Sequence, residues 1–584
     1  MDHVERTWKV GGEQGEGIDS TGEILAKVLN RTGHYIFAYR SFMSLIKGGH
    51  TYYKIRIRDR PVHYHGDQLD ILLAFDQLTI EMNWSELHDG SLIIYDDSKK
   101  GITPKEDKRL ALAPIPLTHM AKELGNEIVK NMVACGASAA AMDLSLTTFE
   151  PVIEELFAKK GEKVVELNRQ ALRKGFEYYR ENFRERFPLP PRGNKKLALV
   201  SGNEMTGLGA LLGGCRFLAA YPITPATEIM YWMLRFLPNY GGRVVQAEDE
   251  IAACIMAIGA NYAGVRAATS TSGPGFSLMQ EAIGLAGMTE TPLVIIDVQR
   301  GGPGTGLPTK TEQSDLNEML YGSHGEIPRI VLIPSTIEES LHFTFHAFEL
   351  AEKYQCPVIV GTDLYLGMSK KSSDSLDLSN YQVKRHSMVT QEELDRLEKG
   401  EYKRYNLGVE NGISPRSIPG QRNGRYVALS NEHDEGDVEI EDPDLRRRMF
   451  DKRLRKLAGF DFGPESIEWI GEREGDLLLV CFGSPRVQLE EALDRLLREG
   501  RKAGLLILKV VKPFPAVRVK PYLERAKEVL VVENNGTGQL AQLLRQEVGH
   551  HDKIKSLLRY DGVPFTVQQI VDAVQGEKEA LYHG

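Results

Sequence analysis

The chain has 584 residues, 42% of them hydrophobic and 26% charged. At ~150 residues per domain it holds about four folding units, and it is neither collagen-like, disulfide-dense nor largely disordered. Its 72 Lys and Arg against 81 Asp and Glu leave a net charge of −9, which argues against nucleic acid or an anionic membrane as the main partner.

The five cysteines (Cys135, Cys215, Cys254, Cys356 and Cys481) are dispersed, with no CxxC pair. That excludes a zinc ribbon or ferredoxin-type cluster motif, makes each a small core residue, and fits a reduced cytoplasmic compartment. The N-terminal stretch has no signal-peptide apolar core, and no apolar run approaches the ~20 residues of a membrane helix.

In chain order, residues 6–10 read as a short strand, 11–17 (GGEQGEG) as a glycine-rich turn and 20–30 as a helix. Residues 71–75 and 91–95 are short apolar runs that suit buried parallel strands. The turn lacks GxGxxG spacing, and Glu13 and Glu16 put negative charge where a pyrophosphate would sit. It is either a plain strand–helix turn or a loop for a phosphate-bearing thiol such as coenzyme A, with Lys47 of the next glycine turn supplying positive charge. Residues 149–187 are helical and charged, and PLPPRGNKK at 188–196 breaks the pattern as a domain boundary.

Residues 196–370 alternate strand and helix, with strands expected at 197–200, 216–221, 267–270, 293–298, 330–333 and 358–361, which implies a mostly parallel sheet covered on both faces. Tyr221-Pro222-Ile223-Thr224-Pro225 is stiffened by its two prolines. Thr224 suits the cap of the helix that follows, or a carboxylate-binding position at that helix start. Next come Gln246-Ala247-Glu248-Asp249-Glu250, a helix rich in Ala and Gly expected to pack closely, a strand, and Thr271-Ser272-Gly273-Pro274-Gly275. The plain role of the three acids is to favour a helix N-terminus. Gly301–Gly306 (GGPGTG) is not a nucleotide-triphosphate loop, because Leu307-Pro308 stands where Gly-Lys-Ser/Thr should follow. Residues 371–470 are polar and read as a long linker with a short helix or two; 471–584 return to α/β, with strands expected at 477–482, 503–510 and 528–533.

The order acid, small-residue helix, strand and TSGPG resembles the pyrimidine-binding domain of thiamine diphosphate enzymes. In that family a glutamate at the helix start hydrogen-bonds the aminopyrimidine and promotes loss of the thiazolium C2 proton. Counting nine residues back from Gly259 selects Glu250, with Glu248 as alternative. With YPITP, DVQRGGP at 297–303 and TGLPTKTEQ at 305–313, the chain is similar to the 2-oxoacid:ferredoxin oxidoreductases whose γ and α subunits are fused.

The resemblance implies an α/β multidomain fold: a Rossmann-like γ domain (1–190), a thiamine diphosphate pyrimidine-binding domain (196–370), the linker (371–470) and a transketolase C-terminal-like domain (471–584). It implies a substrate loop at Tyr221, Pro222, Ile223, Thr224 and Pro225, carboxylate contacts from Arg300 and Lys310, cofactor contacts from Glu250, Ser272, Gly273 and Pro274, and coenzyme A near Gly12, Gly15, Gly17 and Lys47. No Gly-Asp-Gly diphosphate motif occurs. Thiamine diphosphate with Mg²⁺ and a 4Fe–4S cluster are therefore expected largely on a β subunit in an (αβ)₂ heterotetramer that reduces ferredoxin, with no metal site in this chain. The expected substrate is 2-oxoglutarate; pyruvate or a branched-chain 2-oxoacid, a non-oxidative transketolase-type enzyme and a non-catalytic assembly subunit are the alternatives.

Overall fold

The computed structural model describes residues 4–44, 48–190, 195–473 and 475–576. The chain divides into two compact units, one of residues 1–201 and 368–377 and the other of residues 202–367 and 378–584.

The first unit is built on an eight-stranded sheet. Strands Ala111–Ile115, Leu87–Asp96, Leu69–Ala74 and Arg6–Glu13 run parallel in that order, and the helix after the first strand packs on them in Rossmann-like fashion. His50–Arg58 and Tyr35–Ser41 continue the sheet antiparallel. Trp8, Val10, Ile55 and Ile57 alternate inward onto helix Ile18–Arg31, which presents Ile24, Leu25, Val28 and Leu29.

Two edge strands come from elsewhere in the chain. Ala198–Ser201 does not enter the second sheet, as its position in the sequence suggests; it pairs antiparallel with Lys370–Ser373, which pairs antiparallel with Tyr35–Ser41. Strand Arg6–Glu13 also runs three residues further than its apolar stretch predicts. Gly11, Gly12 and Glu13 stay in it by pairing with Tyr52, Thr51 and His50, and a Cβ on Gly11 would stand 2.6 Å from Thr79, one on Gly12 2.9 Å from Ile18 and Phe75.

The second unit contains two sheets. In the larger, Pro357–Asp363, Leu293–Gln299, Ala267–Thr271, Phe217–Ala220 and Arg243–Gln246 lie side by side and parallel, so the loops at their carboxyl ends share one edge. Ile330–Leu332 adds on the other side. The smaller sheet runs Ile467–Gly471, Ala503–Leu508, Leu477–Phe482, Glu528–Glu533, Ile554–Leu558. The single strand expected over 503–510 is broken at Lys509. Its ammonium is drawn to Glu339 and Glu468, and Val510–Lys512 crosses to pair antiparallel with Ile330–Leu332 in the larger sheet. The two sheets consequently share a core, with Ile295, Val331, Leu506, Leu508 and Val531 in one cluster.

The polar stretch after 377 is ordered by charge. It carries helices Gln391–Asp395 and Pro443–Arg455 and supplies cations to two buried acids. Glu290 meets Lys452 at 2.8 Å and Lys456 at 2.6 Å, all fully buried, and Arg404 donates to the Glu290 carbonyl at 2.8 Å. Glu352 meets Arg266 at 2.7 Å and Arg385 at 2.8 Å.

Candidate functional site

In parallel α/β sheets the carboxyl ends of the strands are where ligands bind. Here the loops after Phe217–Ala220, Ala267–Thr271 and Leu293–Gln299 bring YPITP, TSGPG and the segment 300–315 to that edge, and Glu250 joins them from the start of the next helix.

Asp249, not Glu250, caps that helix, its side chain accepting from the Ala252 amide at 2.8 Å. This frees Glu250, the first helical residue, which is 6% exposed; its carboxylate has no hydrogen-bond partner among the described residues. Glu248 points to solvent. Glu250 lies against the TSGPG turn: a Cβ on Gly275 would stand 2.5 Å from its Oε1, and a Cβ on Gly273 would stand 2.8 Å from both carboxylate oxygens of Asp315. A side chain at either glycine would collide, with Asp315 at Gly273 and with Thr271 and Glu250 at Gly275. Pro274 sits in the first turn of helix Gly273–Leu278, while the hydroxyls of Ser270 and Ser272 are buried without a partner.

Thr224 does not cap a helix. The helix begins at Thr227, whose amide bonds back to the Ile223 carbonyl at 3.0 Å, and Ala226 holds the cap position. The Thr224 carbonyl instead accepts from Arg300 Nη1 at 2.7 Å, and the Pro225 carbonyl accepts from Asn203 Nδ2 at 3.1 Å. Pro222 and Ile223 are half-buried, and Tyr221 is 40% exposed at the rim. Burial pulls the Arg300 guanidinium below its usual range, opposed by the charges of Asp315 and Glu250, which places all three within electrostatic reach of one another.

Lys310 ends the hairpin that starts at Arg300, its carbonyl accepting from the Gly301 amide at 3.0 Å. Its stem lies against Gly562, 2.7 Å from where a Cβ would stand there, and burial lowers its ammonium.

Several functional candidates escaped sequence reasoning. Gln313 ties the segment to the C-terminal region: it exchanges bonds with Asn534 (its amide to the carbonyl at 2.6 Å, its Oε1 from the amide at 3.1 Å), and its Nε2 donates to the Phe482 carbonyl at 3.1 Å and to Asp363 Oδ2 at 3.4 Å. Asp297 and Asp315 form a buried carboxyl pair beside Arg300. Asp297 and Gln313 stood inside recognised motifs, but nothing in one sequence shows that they converge.

The packing expected of the small-residue helix holds for Ala253, Cys254 and Ala257, which face the sheet. Gly259 looks onto open space beside exposed Ile251, Ile255 and Met256.

In the first unit, Gly12 is a strand residue; Gly15 (φ 104°) borders open space; Gly17 (φ 87°) precedes helix Ile18–Arg31. Lys47 lies outside the described residues. Glu16 is not a loose negative charge in this turn: Lys130 at 3.0 Å and Lys99 bind its carboxylate. Burial works against that charge, but the two lysines prevail and hold the carboxyl below its usual range. Among the described residues no group of three or more His, Cys, Asp or Glu is placed to hold a metal ion, all five cysteines are buried and unpaired, and no helix is long and apolar enough to cross a membrane.

Comparison with known families places three regions in one class. Residues 208–451 match the pyruvate flavodoxin/ferredoxin oxidoreductase thiamine diphosphate-binding family, 7–178 the pyruvate ferredoxin/flavodoxin oxidoreductase family, and 475–570 the pyruvate:ferredoxin oxidoreductase core domain II. The chain is 32% identical, over 99% of its length and 98% of the relative's, to a 2-oxoacid:ferredoxin oxidoreductase subunit alpha from Sulfolobus sp.. It is 38% identical to the 2-oxoglutarate synthase subunit KorA of Methanocaldococcus jannaschii over 58% of this chain and 89% of that one. Among solved structures, a 2-oxoglutarate:ferredoxin oxidoreductase from Magnetococcus marinus with 2-oxoglutarate, coenzyme A and succinyl-CoA bound superposes with a TM-score of 0.90, at 36% identity, over 98% of this chain and 99% of that one. The chain belongs to the 2-oxoacid:ferredoxin oxidoreductase family, as an α subunit.

Proposed function

We propose that the chain is the α subunit, with a fused γ-type region, of an enzyme that converts 2-oxoglutarate and coenzyme A to succinyl-CoA and carbon dioxide, passing two electrons singly to ferredoxin. The observation that carries this reading is the convergence of Glu250, buried and unpartnered, with Arg300 and Thr224 around the TSGPG turn.

Thiamine diphosphate, when bound, supplies the carbon nucleophile and the electron sink. The residues present fit its pyrimidine half: a buried carboxyl for a ring nitrogen, and the orphaned hydroxyls of Ser270 and Ser272 nearby in sequence. In this reading Glu250 holds a proton at that ring nitrogen. Arg300, braced by the Thr224 carbonyl, takes the 1-carboxylate, and Lys310 takes the distal carboxylate, which is why a dicarboxylic 2-oxoacid is favoured over pyruvate. Arg300→Lys keeps the charge but loses the planar fork, so kcat/KM should fall about 10- to 100-fold, mainly through KM. An unchanged KM would remove Arg300 from the carboxylate site.

We assign the diphosphate, Mg²⁺ and a 4Fe–4S cluster largely to a β subunit in an (αβ)₂ assembly, in the cytoplasm. The exposed apolar side of helix Glu250–Tyr262 supports this. The first unit, through Gly12, Gly15, Gly17 and Lys47, is the proposed coenzyme A element.

The test is purification with the β subunit. The complex should carry bound thiamine and visible cluster absorbance and prefer 2-oxoglutarate to pyruvate by at least about 10-fold in kcat/KM, since pyruvate has no second carboxylate for Lys310 to bind. A colourless, thiamine-free complex would sink the reading; a preference for pyruvate would reassign the substrate alone.

A further inference from the structure

Asp297 lies near the end of strand Leu293–Gln299, completely buried, and neither of its carboxylate oxygens has a donor among the described residues. The group within hydrogen-bonding reach is another carboxyl, that of Asp315. Asp315 is held there firmly: its amide donates to Gln299 Oε1 at 3.1 Å, and Gln299 Nε2 donates to the Thr362 carbonyl at 3.2 Å. Its Oδ2 is likewise buried without a donor, and its oxygens fill the space over Gly273. Two carboxyls this close, with both oxygens of Asp297 and one of Asp315 buried without a donor, disfavour ionisation of both at once.

Arg300 is the cation that acts on Asp315, and one hydrogen bond holds it. Its Nη1 donates to the Thr224 carbonyl, its Nε has no partner, and it forms no ion pair among the described residues, although Asp315 and Glu250 both act on it through space. We propose that Asp315 is a positioning residue for substrate binding: by sharing a proton with Asp297 it withholds an ion pair from Arg300 and leaves the guanidinium open to the carboxylate of the 2-oxoacid. This rests on the functional reading above.

The groups facing Asp315 are Asp297 and Arg300 at the end of strand Leu293–Gln299, Glu312 on its own loop, and Glu318 on helix Leu316–Tyr321, whose carboxylate accepts from Ser277 at 3.0 Å. Glu250 acts on Arg300 from the other side of the TSGPG turn. Burial, Glu318 and Glu312 push Asp315 up to about 7 against the pull of Arg300. As pH rises through neutrality Asp315 loses its proton, and a negative charge appears beside Arg300. That charge competes with an incoming carboxylate and repels it, so KM rises.

The experiment uses the complex with its β subunit. In the wild type, KM for 2-oxoglutarate should rise about three- to tenfold between roughly pH 6.5 and 8.5. In Asp315→Asn, which cannot ionise, the profile should be flat. In Asp297→Asn, an amide donor replaces the shared proton and Asp315 ionises more readily, so the rise should move to lower pH. Infrared titration supplies a readout that needs no turnover: a protonated-carboxyl C=O band should titrate near neutrality in the wild type, and that titration should be missing in Asp315→Asn. Absence of that band in the wild type overturns the shared proton. A band together with an unchanged KM profile in Asp315→Asn overturns the positioning role. A band in a complex that turns over no 2-oxoacid at any pH overturns the role given to Arg300 and the functional reading with it, while the carboxyl pair stands.

Discussion

Glu250→Gln should lower 2-oxoacid-dependent reduction of a viologen dye by about 10²- to 10⁴-fold, almost entirely in kcat. The substitution preserves shape: the side chain still fills the space over Gly275, and Asp249 still caps the helix. It removes only the ability to hold and release a proton, since an amide accepts and donates hydrogen bonds without changing its protonation state. Substrate binding depends on Arg300 and Lys310 in the reading above, so KM should change little. Thiamine content, measured on the purified complex, should also change less than turnover, because an amide can still meet the aminopyrimidine. Near-normal turnover would take the proton-handling role away from Glu250. Glu248 is the other sequence candidate, but it faces solvent, away from the TSGPG turn.

The second large effect concerns folding. Glu290→Gln leaves the Lys452 and Lys456 ammoniums, both fully buried, with no carboxylate to face. Breaking a buried pair from one side costs about 3–5 kcal/mol. Some of this is relieved by loss of a proton from Lys456, whose ammonium burial has already pulled down to about 7. The result should be a clearly lower unfolding temperature and faster proteolysis within residues 378–470.

The acid side gives an independent check. Burial opposes the charge on Glu290, but Lys456, Lys452 and Arg404 outweigh it and hold the carboxyl far below its ordinary 4.5. The stability it contributes is complete above pH ~4.5 and is lost as the pH falls toward the depressed folded value. Wild type and variant should therefore converge in acid. A constant gap across that range would mean that Glu290 acts by shape rather than charge.

These two residues mark where sequence is informative. Glu250 was legible because its chemistry has a local frame: an acid at a helix start, a fixed distance to a bare glycine, and a TSGPG turn after the next strand. YPITP was legible as a stiff loop for the same reason, though its partner was not. Arg300 lies in another loop, and Thr224 serves it with a backbone carbonyl, a group every residue has. Glu290 has no such local frame. Its burial depends on Lys452 and Lys456, contributed by a stretch whose composition reads as solvent-exposed, and composition cannot show that its lysines and arginines are spent on Glu290 and Glu352. The Asp297–Asp315 pair was hidden likewise, because proximity across a strand end and a loop leaves no spacing signature. The misplaced strand Ala198–Ser201 has a simpler cause: four apolar-leaning residues do not say which sheet they join.

That strand has a consequence in time. It reaches the first sheet only through Lys370–Ser373, which stands between it and Tyr35–Ser41. During synthesis the ribosome must therefore complete the whole stretch 202–369 before the earlier unit can be closed. Until then Tyr35–Ser41 presents an open row of amides and carbonyls, the kind of edge that recruits other strands. The nascent chain spends that interval with its first-made part still waiting for a piece encoded far downstream, and a protein cut at the proline-rich break after residue 187 would never receive it.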